Sequence, residues 1–448
     1  MASLYFLHAL GGSAREWDRV VAALSDDFDC IPLDLPGFGG SADAASDVTG
    51  LVDWFAAEVG RRQPQSWAVI GHSMGGKIAT LAAARARGGD PSFAGLAAVV
   101  LLAASPPAPE PMAEDRRAKM IGWCAGGGIG TADAEAFIDA NTAASLSGPD
   151  RAQAIADVER SGCAAWTAWL ERGSREDWRS EAGIIALPAL IVAGGEDGDL
   201  GVEAQRRLNL PHYRDARVEV VDGAAHLLPY ERHAEVAALI RDHVAPAFAR
   251  ALPASFAALL ASDRVSRRAR AAMMDRHAAP DAAGTLSTAQ RATLVALIET
   301  LLPGAVDAPD LARRIDASLA DGRGDGWRLA DLPADALAWQ WGLDTLEAQT
   351  LGFASASAAR REEALRAIGE DSGEDGGGEA LIERRHMRLW FAEARAEVAR
   401  QWVALPATMA RIGYDGFAVG GDDMPLPGYR LTAANTREPW QSPLGAPA

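Results

Sequence analysis

Cysteine is nearly missing from this 448-residue chain: Cys30, Cys124 and Cys163 are the three it has, with no C-x-x-C pair among them. An odd count without paired spacing speaks against a disulfide framework, a cysteine zinc site and covalently attached haem, and it fits a reducing compartment. Positive charge is also in short supply, with 43 Lys and Arg against 61 Asp and Glu and a formal net charge of −18. That balance disfavours nucleic acid and anionic membranes as partners. No run of about 18 or more apolar residues occurs, so no conventional membrane span is expected. Residues 1–8 lack a basic n-region and lead directly into an apolar stretch, so no signal peptide is expected and a cytoplasmic location follows. The chain is read as having no dinucleotide fingerprint and no metal cluster, so no cofactor and no metal are expected within it.

What is present is a globular composition, 49% hydrophobic and 23% charged, on a chain longer than one core usually grows. Two domains are the expectation. Up to about residue 247, short apolar runs at 4–8, 30–34, 67–71, 97–103, 189–193 and 217–221 alternate with helical periods at 17–24, 51–61, 75–87, 202–208 and 234–244. That alternation predicts an α/β fold with a mainly parallel sheet. All six strands read as too apolar to be edges. Residues from about 105 to 186 break the rhythm with the Pro-rich stretch at 106–111, the glycine run at 126–128 and Trp123, Trp166, Trp169 and Trp178, and they read as a helical cap inserted above the sheet. Tryptophans at helical spacing are more often packing than cleft lining.

Gly71-His72-Ser73-Met74-Gly75 lies between an apolar strand and a helical run, the context that a G-x-S-x-G nucleophile elbow requires. The glycines admit a strained turn and let the next helix pack beneath it, which leaves the N–H of Met74 aimed at a developing negative charge. A second oxyanion donor is expected from the loop after the first strand, with the N–H of Leu10 as the candidate; His8 in that loop reads as structural. A serine hydroxyl needs a neutral imidazole to take its proton, and the imidazole needs an acceptor to set its tautomer, in the chain order Ser, acid, His. His226, just after the last strand, is the predicted base. Asp197, at the end of the strand at 189–193, is the predicted acid, with Asp199 and Glu196 as alternatives.

With FLHALGGSAREW, DLPGFGGS, GHSMGGKIAT, IVAGGED and DGAAHLLPYE in order, residues 3–246 resemble the α/β-hydrolase superfamily. The resemblance implies a sheet flanked by helices with a cap over the cleft, opening at what is the third strand of fuller members, and a small-molecule acyl substrate. Ala9 stands where that family usually has the glycine of a His-Gly pair. Members that are epoxide hydrolases or dehalogenases place Asp where Ser73 stands, which turns the expectation toward esterase or lactonase chemistry, or a lyase or carbon–carbon hydrolase using the same triad.

From about residue 246 the chain becomes almost continuous helix. The expected domains are 1–247, a helical connector at 248–284 and a mainly α-helical domain at 285–448. TLSTAQRATLVALIETLLPG at 285–304 and YDGFAVGGDDMPLPGYRLTAANTREPW at 414–440 resemble the gluconate 2-dehydrogenase subunit 3 family, the small subunits of flavoprotein oxidoreductases. That resemblance implies a docking role toward an FAD-dependent large subunit of the glucose–methanol–choline type, hence a fusion of hydrolase and accessory domain, with a non-catalytic scaffold subunit of a flavoprotein dehydrogenase as the alternative. Trp327, Trp339, Trp341, Trp390 and Trp402 read as either core or interface, and if the domain is an obligate partner of such a flavoprotein some of them should be exposed. The acidic glycine-rich stretch 369–379 is expected to be a loop.

Overall fold

Six short runs of β-branched and aliphatic residues, each closed by a turn-forming stretch, form one all-parallel sheet: β1 (Ser3–Leu7), β2 (Asp29–Leu33), β3 (Trp67–His72), β4 (Leu96–Leu102), β5 (Ala189–Gly194) and β6 (Ala216–Val221), in the order β2-β1-β3-β4-β5-β6. The computed structural model describes residues 1–41, 46–278, 284–304, 307–322, 331–370, 381–431, 433–434 and 436–440. Alternate residues of the central strands serve two cores. Tyr5, Leu7, Val69, Val99, Leu101 and Ile191 face α2 (after α1, Asp18–Leu24; α2 is Val48–Arg62) and α3 (Met74–Arg87). Leu4, Phe6, Ile70, Val100, Leu102 and Leu190 face the opposite side, where α1 contributes Val20 and Leu24. Both faces of a parallel sheet must be covered, and the near-continuous apolar runs of β1, β3, β4 and β5 reflect that.

The edges correct one expectation. β2 and β6 are edge strands and carry exposed or half-buried positions along most of their length. Pro32 in β2, and Arg217 and Glu219 in β6, are the residue types that blunt an open edge.

Between β4 and β5 the chain builds the cap from α4 (Glu114–Gly122), α5 (Thr131–Ala140), α6 (Gly148–Glu159), α7 (Cys163–Ala168), a π-helical turn at Trp169–Gly173 and α8 (Arg179–Ala182). Trp166 is fully buried, packs edge-on against Phe137 at 5.3 Å between ring centres, and donates from its indole N–H to the Met120 carbonyl at 2.9 Å. The cysteine expectation is corrected here too. Cys124 and Cys163, 39 residues apart, form a disulfide with Cα atoms 5.5 Å apart, because cap packing brings the end of α4 to the start of α7. Cys30 is free.

After β5 come α9 (Val202–Leu208), β6, α10 (Leu228–Glu231) and the long α11 (His233–Ala249), which supplies Val236, Ile240 and Val244 to the second core. The chain divides into a unit of residues 1–278 with 413–448 and a unit of residues 279–412, not at residue 247 as the sequence implied. Local contacts give the reason. In α12 (Ala254–Ala261) and α13 (Arg267–His277), the connector belongs to the sheet unit: Arg270 donates to the carbonyls of Gly89 and Leu260, and Arg267 to that of Gly88 at 2.9 Å. The late segment joins the same unit, as Asp422 accepts the Arg267 N–H at 2.8 Å and the Asp415 carbonyl accepts from Arg264 at 2.9 Å.

The second unit is helical: α14 (Thr288–Leu301), α15 (Ala308–Ala320), α16 (Asp335–Thr350), α17 (Ala358–Gly369), α18 (Arg384–Ala404) and α19 (Pro406–Arg411). α14 starts on a capping box in which the Ser287 hydroxyl accepts the Gln290 N–H and the Gln290 side chain accepts the Ser287 N–H. Trp339 and Trp390 meet edge-on in its core. Trp341 and Trp402 are half-buried, so none of the four described tryptophans is exposed, contrary to the expectation for a docking face; Trp327 and most of the 369–379 stretch lie outside the described residues. No single helix among the described residues is long and apolar enough to cross a membrane.

Candidate active site

The turn from β3 into α3 holds Ser73 at φ 47° and ψ −114°, a conformation that L side chains rarely adopt. Glycine makes it feasible. A Cβ on Gly75 would lie 2.3 Å from the Leu7 carbonyl oxygen, and one on Gly76 would lie 2.3 Å from the Ala104 Cβ. The turn is pinned by backbone bonds: the Ser73 N–H donates to the Leu102 carbonyl at 2.9 Å, and the Ser73 carbonyl accepts from Gly76 at 2.8 Å and from Ser105 at 2.9 Å.

His226, on the loop after β6, points its Nε2 at Ser73 Oγ at 2.8 Å and its Nδ1 at Asp197 Oδ2 at 2.8 Å. Asp197 also accepts the Leu200 N–H at 3.2 Å. Of the two alternative acids, Asp199 pairs with Arg116 and Glu196 bonds through its backbone to the Ala224 carbonyl. Burial pulls the His226 pKa down, but the Asp197 charge and hydrogen bond outweigh it, so the ring sits above its ordinary value of 6.5. Burial pushes Asp197 up, yet the His226 charge and hydrogen bond hold its carboxyl below the ordinary range. The two directions agree, as an imidazole and a carboxylate sharing a proton require.

Leu10 lines the same cavity as Ser73, and Met74 opens α3. His8 is fully buried; its Nε2 accepts the Leu35 N–H at 2.9 Å, so its Nδ1 donates to the Ala9 carbonyl at 2.7 Å. That is a bracing role for the loop bearing Leu10.

Several residues at the site escaped the sequence reading. Glu16, 2% exposed, accepts the Ala9 N–H at 3.3 Å and faces His72 Nδ1 at 3.0 Å, while His72 Nε2 lies 2.8 Å from the His226 carbonyl. Glu231 accepts from Ala225 at 2.9 Å and from Ala143 of the cap at 2.7 Å. The Asn141 carbonyl accepts the N–H groups of both His226 and Leu227 at 3.1 Å, so the cap itself braces the histidine loop. In sequence, Glu16 is legible only as the acid before Trp17, and Asn141 carries no local signal. The cavity above Ser73 measures about 130 Å³ and is walled by Leu10, Met112, Phe137, Trp169 and Leu227 with Glu110 and Arg116 among them. Trp169 is the one cap tryptophan that reaches it.

A strained serine at a strand–helix turn thus lies in hydrogen-bond reach of a histidine backed by an aspartate. The sequence profile described as the alpha/beta hydrolase family matches residues 4–239. The chain belongs to this family. Among curated relatives of this hydrolase chain, 2-succinyl-6-hydroxy-2,4-cyclohexadiene-1-carboxylate synthase of Escherichia coli O7:K1 is 37% identical over 102 residues, 22% of this chain and 36% of that protein. The match thus spans about a third of the length of that relative. Pimeloyl-[acyl-carrier protein] methyl ester esterase of Neisseria meningitidis serogroup A is 29% identical over 252 residues, 54% of this chain and 76% of that protein. Among solved structures, the esterase EaEST from Exiguobacterium antarcticum covers 55% of this chain and 92% of its own, at 16% identity and a TM-score of 0.48. The enol-lactonase from Burkholderia xenovorans LB400 covers 55% and 91%, at 21% identity and a TM-score of 0.47.

Proposed function

We propose that this alpha/beta hydrolase acts on an ester, lactone or related acyl bond with Ser73 as nucleophile, His226 as general base and Asp197 as the acid that orients it. The observation that carries the reading is His226 spanning Ser73 Oγ and Asp197 Oδ2 at 2.8 Å on each side. In this reading Asp197 sets the tautomer with the proton on Nδ1, and Nε2 takes the Ser73 proton as Oγ attacks the acyl carbon. The N–H groups of Met74 and Leu10 receive the oxyanion, a kind of donor worth about 3 kcal/mol each in the transition state. The imidazolium then protonates the leaving alcohol, and a water activated the same way releases the acid. The relative named as a methyl ester esterase supports ester chemistry.

A second reading keeps the same three residues in a lyase or carbon–carbon hydrolase, and one relative over 102 residues is named as a synthase. Product analysis separates the two, since hydrolysis incorporates solvent oxygen into the acid and elimination does not. The decisive first experiment is labelling by a fluorophosphonate probe, read by intact mass. Wild type is expected to gain one adduct at Ser73, and Ser73→Ala and His226→Ala none. An unlabelled, folded wild type would leave the fold as a scaffold without this chemistry.

The C-terminal part of the chain from residue 285, which takes in the helical unit and the late segment grouped with the sheet unit, is proposed as an accessory module that docks an FAD-dependent oxidoreductase, on the resemblance of 285–304 and 414–440 to the gluconate 2-dehydrogenase subunit 3 family. Co-purification with a flavoprotein tests it, and a chain that stays alone beside candidate partners at high concentration sinks it. The cytoplasmic location is tested by the cap cysteines: free thiols at Cys124 and Cys163 in cells mark a reducing compartment, and an intact disulfide an oxidising one.

A further inference from the structure

One ionisable group in the cavity has no part in the chemistry described so far. Glu110 lines the cavity with Ser73 and His226, and its Oε1 accepts from the Ser105 hydroxyl at 2.5 Å. Ser105 is itself fully buried and locked by its N–H to the Ser73 carbonyl at 2.9 Å, so the carboxyl is held at a set place relative to the nucleophile. The Glu110 N–H donates to the Ser174 carbonyl at 2.8 Å, which pins the backbone as well. Its second carboxyl oxygen has no hydrogen-bond partner among the described residues, and the cavity that Glu110 lines is walled in part by Met112 and Trp169. Glu110 is half-buried, so that oxygen is open to the cavity, and a bound molecule that donates to it gains selectivity over an analogue lacking the donor.

The chemistry of that partner follows from the neighbouring charges. Lys77 and Arg117 are both buried and act electrostatically on Glu110, which opposes a further cation arriving beside it. A substrate carboxylate would meet the Glu110 carboxyl at close range, where each disfavours the ionised form of the other. Arg116, the cation on the cavity wall, is already engaged by Asp199 and by Asn141 Oδ1 at 3.3 Å. A hydroxyl remains, since it donates to a carboxylate and accepts from a carboxylic acid. Burial lifts the Glu110 carboxyl above its ordinary range, and a hydroxyl can serve either protonation state.

We propose that Glu110 is a specificity-determining residue that hydrogen-bonds a hydroxyl group on the substrate, so that the site selects hydroxylated esters or lactones over unsubstituted and acidic ones. This rests on the hydrolase reading above. The test compares kcat/KM for p-nitrophenyl butyrate with p-nitrophenyl 3-hydroxybutyrate, and for γ-butyrolactone with its α- and β-hydroxy derivatives, with monomethyl succinate as the acidic member. Wild type is expected to favour a hydroxylated member of each pair by about tenfold or more, the net worth of one hydrogen bond to such a group. Glu110→Leu is expected to bring that ratio near one, and Glu110→Gln, whose amide both donates and accepts, to keep most of it. A merely structural role for Glu110 moves both members of a pair together and leaves the ratio alone. A wild-type ratio near one overturns the proposal, as does a ratio that survives in Glu110→Leu; if Glu110→Leu does not fold, the wild-type ratio and the Glu110→Gln ratio decide. Absence of fluorophosphonate labelling at Ser73 together with absence of turnover on every ester sinks the hydrolase reading itself, and this inference with it. Labelling with no hydroxyl preference sinks only the role of Glu110.

Discussion

Glu16 is the carboxylate that reaches both sides of the machinery, so its replacement tests how the site is held. Its oxygens accept the Ala9 N–H at 3.3 and 3.4 Å, next to Leu10, and face His72 Nδ1 at 3.0 Å; His72 in turn lies 2.8 Å from the His226 carbonyl. Glu16→Ala leaves the Ala9 N–H and the His72 Nδ1 unpaired where His72 is 1% exposed. Each buried polar group left without a partner costs about 1–3 kcal/mol, so the two together cost roughly 2–6 kcal/mol. Against a total stability of about 5–15 kcal/mol, the variant should fold at low temperature and unfold early in urea. A displacement of about 1 Å at the loops bearing Leu10 and His226 is enough for a loss of about a hundredfold in rate. The expected outcome is a fluorophosphonate labelling rate at Ser73 about a hundredfold below wild type, measured well below the unfolding transition. Glu16→Gln can offer its amide oxygen to Ala9 and its NH₂ to a His72 ring carrying its proton on Nε2, so it should recover most of the rate and stability. Wild-type stability and labelling in Glu16→Ala would refute the reasoning, and Glu16→Gln as damaged as Glu16→Ala would show that charge, not hydrogen-bond geometry, matters there.

Other perturbations address separate parts of the molecule. Protonated His226 cannot take the Ser73 proton, and its pKa is raised, so the labelling rate should fall with decreasing pH through a midpoint above 6.5; a midpoint at or below that value contradicts the influence assigned to Asp197. Asp197→Asn should move that midpoint down and lower the rate by up to about 10⁴, as loss of the acid does in serine triads. Gly75→Ala forces a Cβ to within 2.3 Å of the Leu7 carbonyl oxygen and should cost about 1–3 kcal/mol and abolish labelling. Gly60→Ala, at a position in α2 with nothing within 4 Å, should instead gain about 0.5–1 kcal/mol in thermal unfolding. Gly342→Ala drives a Cβ to within 2.1 Å of the Trp390 indole and should destabilise the helical unit by about 1–3 kcal/mol while Ser73 labels normally; loss of labelling would show that the two units do not melt separately.

The sequence by itself determined whatever depends on neighbours along the chain. Strand and helix positions of the sheet unit were legible because burial on one or both faces imprints a period on consecutive residues. The elbow was legible because its strain demands glycine within two positions of Ser73 on either side. The order of Ser73, Asp197 and His226 marked the residues that the structure brings within 2.8 Å, since each follows its own strand at the same end of a parallel sheet. Tertiary structure alone decided what depends on residues far apart. Which strands became edges rests on the order β2-β1-β3-β4-β5-β6, and the same apolar run serves at an edge or a centre until its neighbours are known. The Cys124–Cys163 pairing, the braces from Glu16 and Asn141, and the grouping of residues 413–440 with the sheet unit have no local signature. Glu110 stands five residues from Ser105 on the Pro-rich stretch that opens the cap, where nothing in the sequence singles it out, and only tertiary packing makes its carboxyl part of a pocket. The physical reason is common to all of these: periodicity and strain are properties of a segment, whereas burial of a lone polar group is a property of everything packed around it.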